Sequence, residues 1–425
     1  MLEAIKTAFK LPDLRKKIIW TLVLLGIFRL GSLIPAPGPW DPKALESLFG
    51  GGGNLFGLLD LLAGGSLRRM SVFAMSVNPY ITSSIIVQLL TMVIPQLEQL
   101  AKEGNEGRKV INQYVRYGTV VLAIVQGAAM AFGFRSAMIN PTGWDFVMII
   151  ITLTAGSVFL MWLGEVISER GIGNGISLII FAGIVARIVP SSVSVLSTVG
   201  SKGVGTSIFS IILFLIFAVI IVAAVVFVTQ GERKIPVQYA KRQVGRKMYG
   251  GGSTYLPMKV NQSGVIPIIF ASSILAFPPT LGQFLPRTHW LAKFLMVFYP
   301  GRTLYLVLYG LFIFVFTYFY TAVTFNPVDV SNNMKKYGGF IPGIRPGKPT
   351  AEYLDRVLTR ITLAGALFLT AIALLPYLIN FLPGFRGLQV YFGGTALLIA
   401  VGVAIDTMKQ IEAQLLMRQY EGFLK

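Results

Sequence analysis

Few residues in this chain could do covalent or redox chemistry. It has no cysteine and a single histidine, His289, which excludes disulfides, thiolate nucleophiles and multi-histidine or thiolate metal sites. Glu165, Glu169, Asp329, Asp355 and Asp406 all lie between apolar segments or at their ends. A transporter that couples to an ion or relays protons would need such groups at mid-membrane. No Ser–Lys, His or Asp constellation falls inside an apolar segment, which removes the usual marks of a membrane-embedded enzyme. The glycine run Gly50–Gly53 is followed by no Gly-Lys-Ser/Thr, so it is not a phosphate-binding loop.

The spacings that remain are apolar. Val77 and Ile81 stand four residues apart and so share one helical face. Ile176 and Ile180 repeat the interval after Gly171-Ile172-Gly173-Asn174-Gly175. Such pairs face lipid, pack in a core, or line a pore. In a pore they would form a constriction that stops ions by dewetting and yields to a larger object. Spacing leaves all three readings open.

The elements that carry these residues echo one another. Val77-Asn78-Pro79-Tyr80-Ile81 recurs as Val265-Ile266-Pro267-Ile268-Ile269, with Ser84 and Ile86 matched by Ser272 and Ile274. Both phrases sit in long apolar segments, and each proline is predicted to interrupt a helix there. Interrupted hydrophobic segments at corresponding positions of two halves point to the working centre of a transport protein.

Composition supplies the setting. Of 425 residues, 54% are hydrophobic and 13% charged, with a mean hydropathy of +0.69. A soluble protein carries about 25% charged residues, so the reading is an all-α integral membrane protein. Crossing a bilayer takes about 20 apolar residues. Ten segments qualify: 18–38, 71–95, 111–132, 145–167, 174–190, 207–229, 262–282, 303–324, 361–381 and 391–408. The first follows Lys16 and Lys17 and lacks a small-residue cleavage site, so it reads as an anchor. With ten spans, 26 of the 37 Lys and Arg residues fall on the side of the termini and eight on the other. Cytoplasmic loops collect such residues, so both termini are expected in the cytoplasm.

Two basic loops exceed what topology needs. Loop 231–260 carries Arg233, Lys234, Lys241, Arg242, Arg246, Lys247 and Lys259 against the single acid Glu232, with β-rich edges about Gly250-Gly251-Gly252. It reads as a projecting hairpin whose charges suit ribosomal RNA phosphates or an acidic protein face. Loop 325–360 holds one arginine stiffly between Pro342 and Pro346, where its planar fork of donors could meet a carboxylate or phosphate. Between the first two spans, Asn54-Leu55-Phe56-Gly57-Leu58-Leu59-Asp60-Leu61-Leu62-Ala63 is too short to cross and too apolar for an exposed loop. It either folds back into the bundle or lies on the outer leaflet. Arg29, alone well inside a span, could snorkel, pair with a backbone carbonyl or face a cavity.

Five runs, in order, carry a more specific signal. They are Asn78-Pro79-Tyr80-Ile81, the stretch from Glu169 to Ser177, Gly264-Val265-Ile266-Pro267 with Phe270-Ala271-Ser272-Ser273, Pro342-Gly343-Ile344-Arg345-Pro346-Gly347, and Tyr391-Phe392-Gly393-Gly394-Thr395. With them the chain resembles, nearly end to end, the SecY family, the channel subunits of the bacterial Sec protein translocon. The resemblance implies two pseudo-symmetric five-helix halves, 1–203 and 204–425, around an hourglass pore that passes unfolded polypeptides. It implies a pore ring of Val77, Ile81, Ile176, Ile180, Ile269 and Ile399, with valine at the first position where the family usually has isoleucine. A plug over 54–65 would comprise Asn54, Leu55, Phe56, Leu58, Leu59, Leu61 and Leu62, unusually rich in leucine. A lateral gate between the second and seventh spans would be lined by Ser84, Gln88, Ser272 and Ser273. Ribosome and SecA-type motor would dock on Arg233, Lys234, Lys241, Arg242, Arg246, Lys247, Arg345 and Lys348. The other implied partners are SecE-like and SecG-like subunits, signal peptides, nascent chains and membrane lipid. No cofactor is implied, and the location is the bacterial cytoplasmic membrane. A secondary transporter of a small solute is the rival, but it would require the mid-membrane polar site that the sequence lacks.

Overall fold

The computed structural model describes residues 9–49, 60, 63–200, 216, 219–239, 242–244, 247–249, 253–282, 289–299, 302–379 and 394–423. The helices up to the first strand are α1 (Pro12–Gly31), α2 (Pro42–Phe49), α3 (Asn78–Val93), α4 (Pro95–Lys102), α5 (Asn105–Gly133), α6 (Gly143–Arg170), α7 (Gly175–Gly200) and α8 (Val219–Gln230). Beyond the strands follow α9 (Ile266–Gly282), α10 (Trp290–Leu295), α11 (Thr303–Thr324), α12 (Pro327–Lys336), α13 (Lys348–Ile379) and α14 (Gly394–Phe423). Each of the ten apolar segments overlaps one of these helices. Among the described residues, four helical stretches are long and apolar enough to cross a membrane alone: Asn105–Gly133, Gly143–Arg170, Thr303–Lys336 and Lys348–Leu375. Taken together, α3 and α4 make a fifth, bent by 101°.

Within the segment 71–95 only Asn78–Val93 is helical, and the bend falls at its far end. Ile94 is extended, because the residue before a proline is forced out of the helical region, and α4 leaves at Pro95. At the other end, residues 71–77 turn without forming a helix. Consequently Pro79 does not interrupt a helix. It sits in the first turn of α3, where its missing N–H would have had no partner. Pro267 is likewise the second residue of α9, whose interior prolines are Pro278 and Pro279. The two echoed phrases are paired helix starts.

A large core gathers residues from α1, α3, α6, α7, α8, α9, α11, α13 and α14, among them Phe28, Ile85, Leu163, Ile184, Val225, Ala271, Tyr309, Leu369 and Leu398. The outward faces carry exposed Leu22, Val121, Ile151, Trp162, Phe227, Val307 and Leu367. So much apolar surface on so many helices suits lipid and not water. Small residues let helices close up: Ser83 on α3 donates to the Val115 carbonyl of α5 at 2.8 Å, beside Gly118. Helix α6 begins with a capping box, in which the Asp145 carboxylate accepts from the Thr142 backbone N–H at 2.8 Å.

The expected hairpin is present. β1 (Glu232–Tyr239) pairs antiparallel with β4 (Ser253–Lys259), from Glu232↔Lys259 to Gln238↔Ser253. Between them β2 (Arg242–Val244) pairs with β3 (Lys247–Tyr249). A further strand, β5 (Gly339–Phe340), comes from the second basic loop and pairs with the far end of β1. Beneath this sheet, Ile235, Val237, Met258, Met334, Ile341 and Leu354 form a separate core. The two loops are therefore one folded unit, joined by contacts about a hundred residues apart in the chain.

Candidate functional site

Four helices bring apolar side chains to one point. Val77 ends the turn before α3 and Ile81 lies one helical turn on. Ile180 comes from α7, Ile269 from the first turn of α9, and Ile399 from α14. Together with Ser76, Asn78, Ser272 and Ser273 they surround a void of about 10 Å³, the least space that holds one water. All five apolar residues are buried, from 1% exposure at Val77 and Ile399 to 8% at Ile269. The same backbone bond sets both echoed phrases: Ile81 N–H donates to the Val77 carbonyl at 3.0 Å, and Ile269 N–H to the Val265 carbonyl at 3.3 Å. Ile176, the sixth residue, lies one turn before Ile180 and packs against Gly164 of α6, where a side chain would collide with it. It does not line the void.

A separate polar cavity of about 430 Å³, a vestibule near the constriction, is lined by Asn174, Ser177, Lys259, Asn261, Gln262, Asp406 and Gln410 among others. Val265 and Val403 lie in its wall, each one turn, about 6 Å, from the ring residues Ile269 and Ile399. Asn261, Gln262 and Gln410 escaped the sequence reading because ordinary polar residues in a bend or within a helix carry no motif of their own. The signal that could have found them is their position one or two turns from the apolar motifs.

Helices α3 and α9 lie against each other beside the ring. Ser84 and Gln88 of α3 and Ser272 and Ser273 of α9 are partly buried. Ser272 Oγ donates to the Ile269 carbonyl at 2.9 Å, and Gln88 Oε1 is buried without a hydrogen-bond partner.

Of the candidate plug, Asn54, Leu55, Phe56, Leu58, Leu59, Leu61 and Leu62 lie outside the described residues. Asp60 is described and buried, as are Ala63, Ser66, Leu67, Met70 and Ser71. The chain from Gly64 to Val77 turns repeatedly, with Met70 at φ 44° and Ser76 at φ 52°. Left-handed backbone at residues other than glycine costs roughly 1–2 kcal/mol each, and Ser76 directly precedes Val77. Arg29 resolves to one of its three readings: its guanidinium donates to the Gly64 carbonyl at 3.0 Å.

The basic candidates lie on the sheet unit. Arg233 and Lys234 are exposed on β1, with Lys234 Nζ 3.3 Å from a Glu232 oxygen. Arg345 is exposed, and its backbone is held by Thr350 Oγ1, which donates to the Arg345 carbonyl at 2.8 Å. Lys348, also exposed, begins α13. Arg242 and Lys247 lie on β2 and β3, while Lys241 and Arg246 lie outside the described residues. Pairing of β5 with β1 brings the stretches around Arg233 and Arg345 onto one unit.

A helical bundle with apolar outer faces, a polar vestibule and a closed apolar constriction has the architecture of a membrane channel. Comparison with known proteins specifies the family. A SecY family model matches residues 71–408. The protein translocase subunit SecY of Mycobacterium tuberculosis is 47% identical over 449 aligned residues, covering 100% of both chains. Among solved structures, one concerned with the SecY plug domain, described as stabilising the closed state of the translocation channel and maintaining a membrane seal, matches with a TM-score of 0.60 at 19% identity over 96% of each chain. Sec61 in the canine ribosome–channel complex matches with a TM-score of 0.58 at 18% identity, also over 96% of each chain. The chain belongs to the SecY family, a family of protein-conducting channels and not of enzymes.

Proposed function

We propose that this chain passes unfolded secretory polypeptides across the bacterial cytoplasmic membrane and releases apolar segments sideways into lipid between α3 and α9. The observation that carries the reading is a five-residue apolar constriction around some 10 Å³ with a polar cavity about one helical turn away. Such a ring excludes hydrated ions by dewetting, yet its only barrier to a peptide is the parting of side chains. Ile176, one turn toward the vestibule, joins the ring once a chain displaces its neighbours.

In this reading the ten apolar segments are ten spans in two five-helix halves, 1–203 and 204–425, with both termini cytoplasmic. The segment 54–65 is the plug, and Ser84, Gln88, Ser272 and Ser273 line the lateral gate. The sheet unit bearing Arg233, Lys234, Arg242, Lys247, Arg345 and Lys348, with Lys241 and Arg246 beside it, docks the ribosome or a SecA-type ATPase motor. The likeness to a channel in a ribosome complex supports the first of these partners. The chain carries no nucleotide-binding motif, so a partner supplies the energy. SecE-like and SecG-like subunits complete the assembly. A small-solute transporter is not favoured, since the constriction is lined by valine and isoleucine with three serines and one asparagine and no charged group.

The test is photocrosslinking from Ile81 and Ile269 to a secretory chain stalled in transit. Both positions are expected to label it. Labelling of neither would overturn the pore assignment.

A further inference from the structure

Helix α14 carries a single charge on the face that reaches the ring. Ile399, Val403, Asp406, Gln410 and Ala413 recur at intervals of four and three residues, so they form one stripe along the helix. Ile399 borders the constriction, and the other four line the polar cavity. Asp406 is seven residues beyond Ile399, about 10 Å along the axis. Two more ring helices contribute to the same cavity. The start of α7 gives Asn174 and Ser177, ahead of Ile180, and the segment entering α9 gives Ser263, Gly264 and Val265, ahead of Ile269. Gly264 turns at φ 63°, and a Cβ there would stand 3.9 Å from Asp406 Oδ2. The carboxylate therefore faces the entrance to α9 across a residue that has no side chain.

Its bonding sets Asp406 apart from a structural acid. Among the described residues lining the cavity it is the only acid, and the bases there are Lys259 and Lys409. It is exposed, and no hydrogen bond or ion pair joins it to another described residue. The two lysines are close enough to act on it through their charge, yet neither closes on it. Its oxygens stay open toward a cavity of about 430 Å³, which has room for a lysine or arginine side chain. Without Asp406 the lysines would leave the cavity positive, and a cationic residue nearing the apolar ring would be repelled. A pair between partly solvated charges is weak. That suits a path whose sites must be favourable enough to enter and weak enough to leave.

We propose that Asp406 sets the charge selectivity of the path, pairing with lysine and arginine side chains of the transiting polypeptide as they near the ring. This rests on the channel reading above and assigns Asp406 as a specificity-determining residue for transport.

The experiment uses the full-length chain in transport-competent proteoliposomes and three secretory substrates that differ only in a mid-chain block of lysine, glutamine or glutamate. Transit of each charged block is expressed relative to the glutamine block. Asp406→Asn adds one positive charge to the cavity, so the lysine ratio should fall about two- to fivefold, the range of a partly solvated ion pair, and the glutamate ratio should rise. Asp406→Glu keeps the charge and should restore both ratios toward wild type. Ratios that stay at wild type in Asp406→Asn, or that move in the same direction, overturn the proposal. A common slowing of all three blocks leaves the ratios fixed and so counts as that result, marking a merely structural role. A second readout is carbodiimide, which joins a carboxylate to an amine in direct contact. A chain stalled with one lysine in the cavity should form an adduct with wild type that Asp406→Asn loses, and an adduct indifferent to the substitution counts against the pairing. A stalled chain that labels from neither Ile81 nor Ile269 defeats the channel reading itself. One that labels from both, with ratios untouched by Asp406→Asn, defeats the charge selectivity alone.

Discussion

Replacing Ile81 by serine tests the constriction most directly. The side chain is 6% exposed and borders a void of about 10 Å³ shared with Ile180, Ile269 and Ile399. Ile→Ser removes three apolar carbons from the closed ring, about 2.4 kcal/mol at roughly 0.8 kcal/mol per buried methylene. If opening returns that surface to water, the closed state loses this amount relative to the open one. At 1.4 kcal/mol per tenfold, the resting open population rises by roughly fifty-fold. The hydroxyl acts in the same direction by wetting the space. Ile81→Val removes one methylene and should cost about 0.5–1.5 kcal/mol, or roughly two- to tenfold. Ile269→Ser should match Ile81→Ser, and the double variant should fall short of the product because the two share one cavity. The assay is ion efflux from proteoliposomes, supported by single-channel recording, with inserted protein quantified. If Ile81→Ser, Ile269→Ser and their combination all leak like wild type while inserted at equal density, the seal lies elsewhere and the reasoning fails.

Other outcomes follow from the packing. Gly156→Ala drives a methyl into the Val72 carbonyl, which is rigid backbone. It should cost about 1–3 kcal/mol, read as a lower midpoint for thermal unfolding in detergent, and an unchanged midpoint would contradict the tight approach of α6 to residue 72. Ile341, 3% exposed in the core beneath the sheet, joins the two basic loops. Ile341→Asp buries a charge without a partner, a change of several kcal/mol. Limited proteolysis should then cut within 325–347 while the resting ion seal stays intact, and a protease pattern like wild type would argue against a common core. Arg345→Glu should abolish motor-driven export with insertion and thermal stability preserved. Export at the wild-type rate would remove Arg345 from the docking surface.

Much of the class of this protein was legible without coordinates. With 13% charged residues the chain cannot cover itself for water, and helix-length apolar segments can be found from local sequence alone because crossing a bilayer is a local requirement. The hairpin was legible for a similar reason, since β-rich edges flanking a glycine run determine their own pairing. The two prolines show where local reading falls short. A proline in an apolar run fits an interruption or a helix start, and only the non-helical stretches 71–77 and 260–265 decide for the start. Arg29 fitted three environments until the Gly64 carbonyl was placed beside it.

Sequence by itself determined that this is a helical membrane protein, that Val77 and Ile81 share a face, and that it carries two basic loops beyond what topology needs. Tertiary structure decided which faces meet. Val77, Ile180, Ile269 and Ile399 lie far apart in the chain, and periodicity can orient each of them on its own helix without saying what lies opposite. Their meeting around about 10 Å³ depends on how α3, α7, α9 and α14 pack. The joining of β5 to β1 and the approach of Asp60 to Arg187 are likewise long-range contacts. A side chain's periodicity fixes its direction, and its neighbour is set by the free energy of the whole packed bundle.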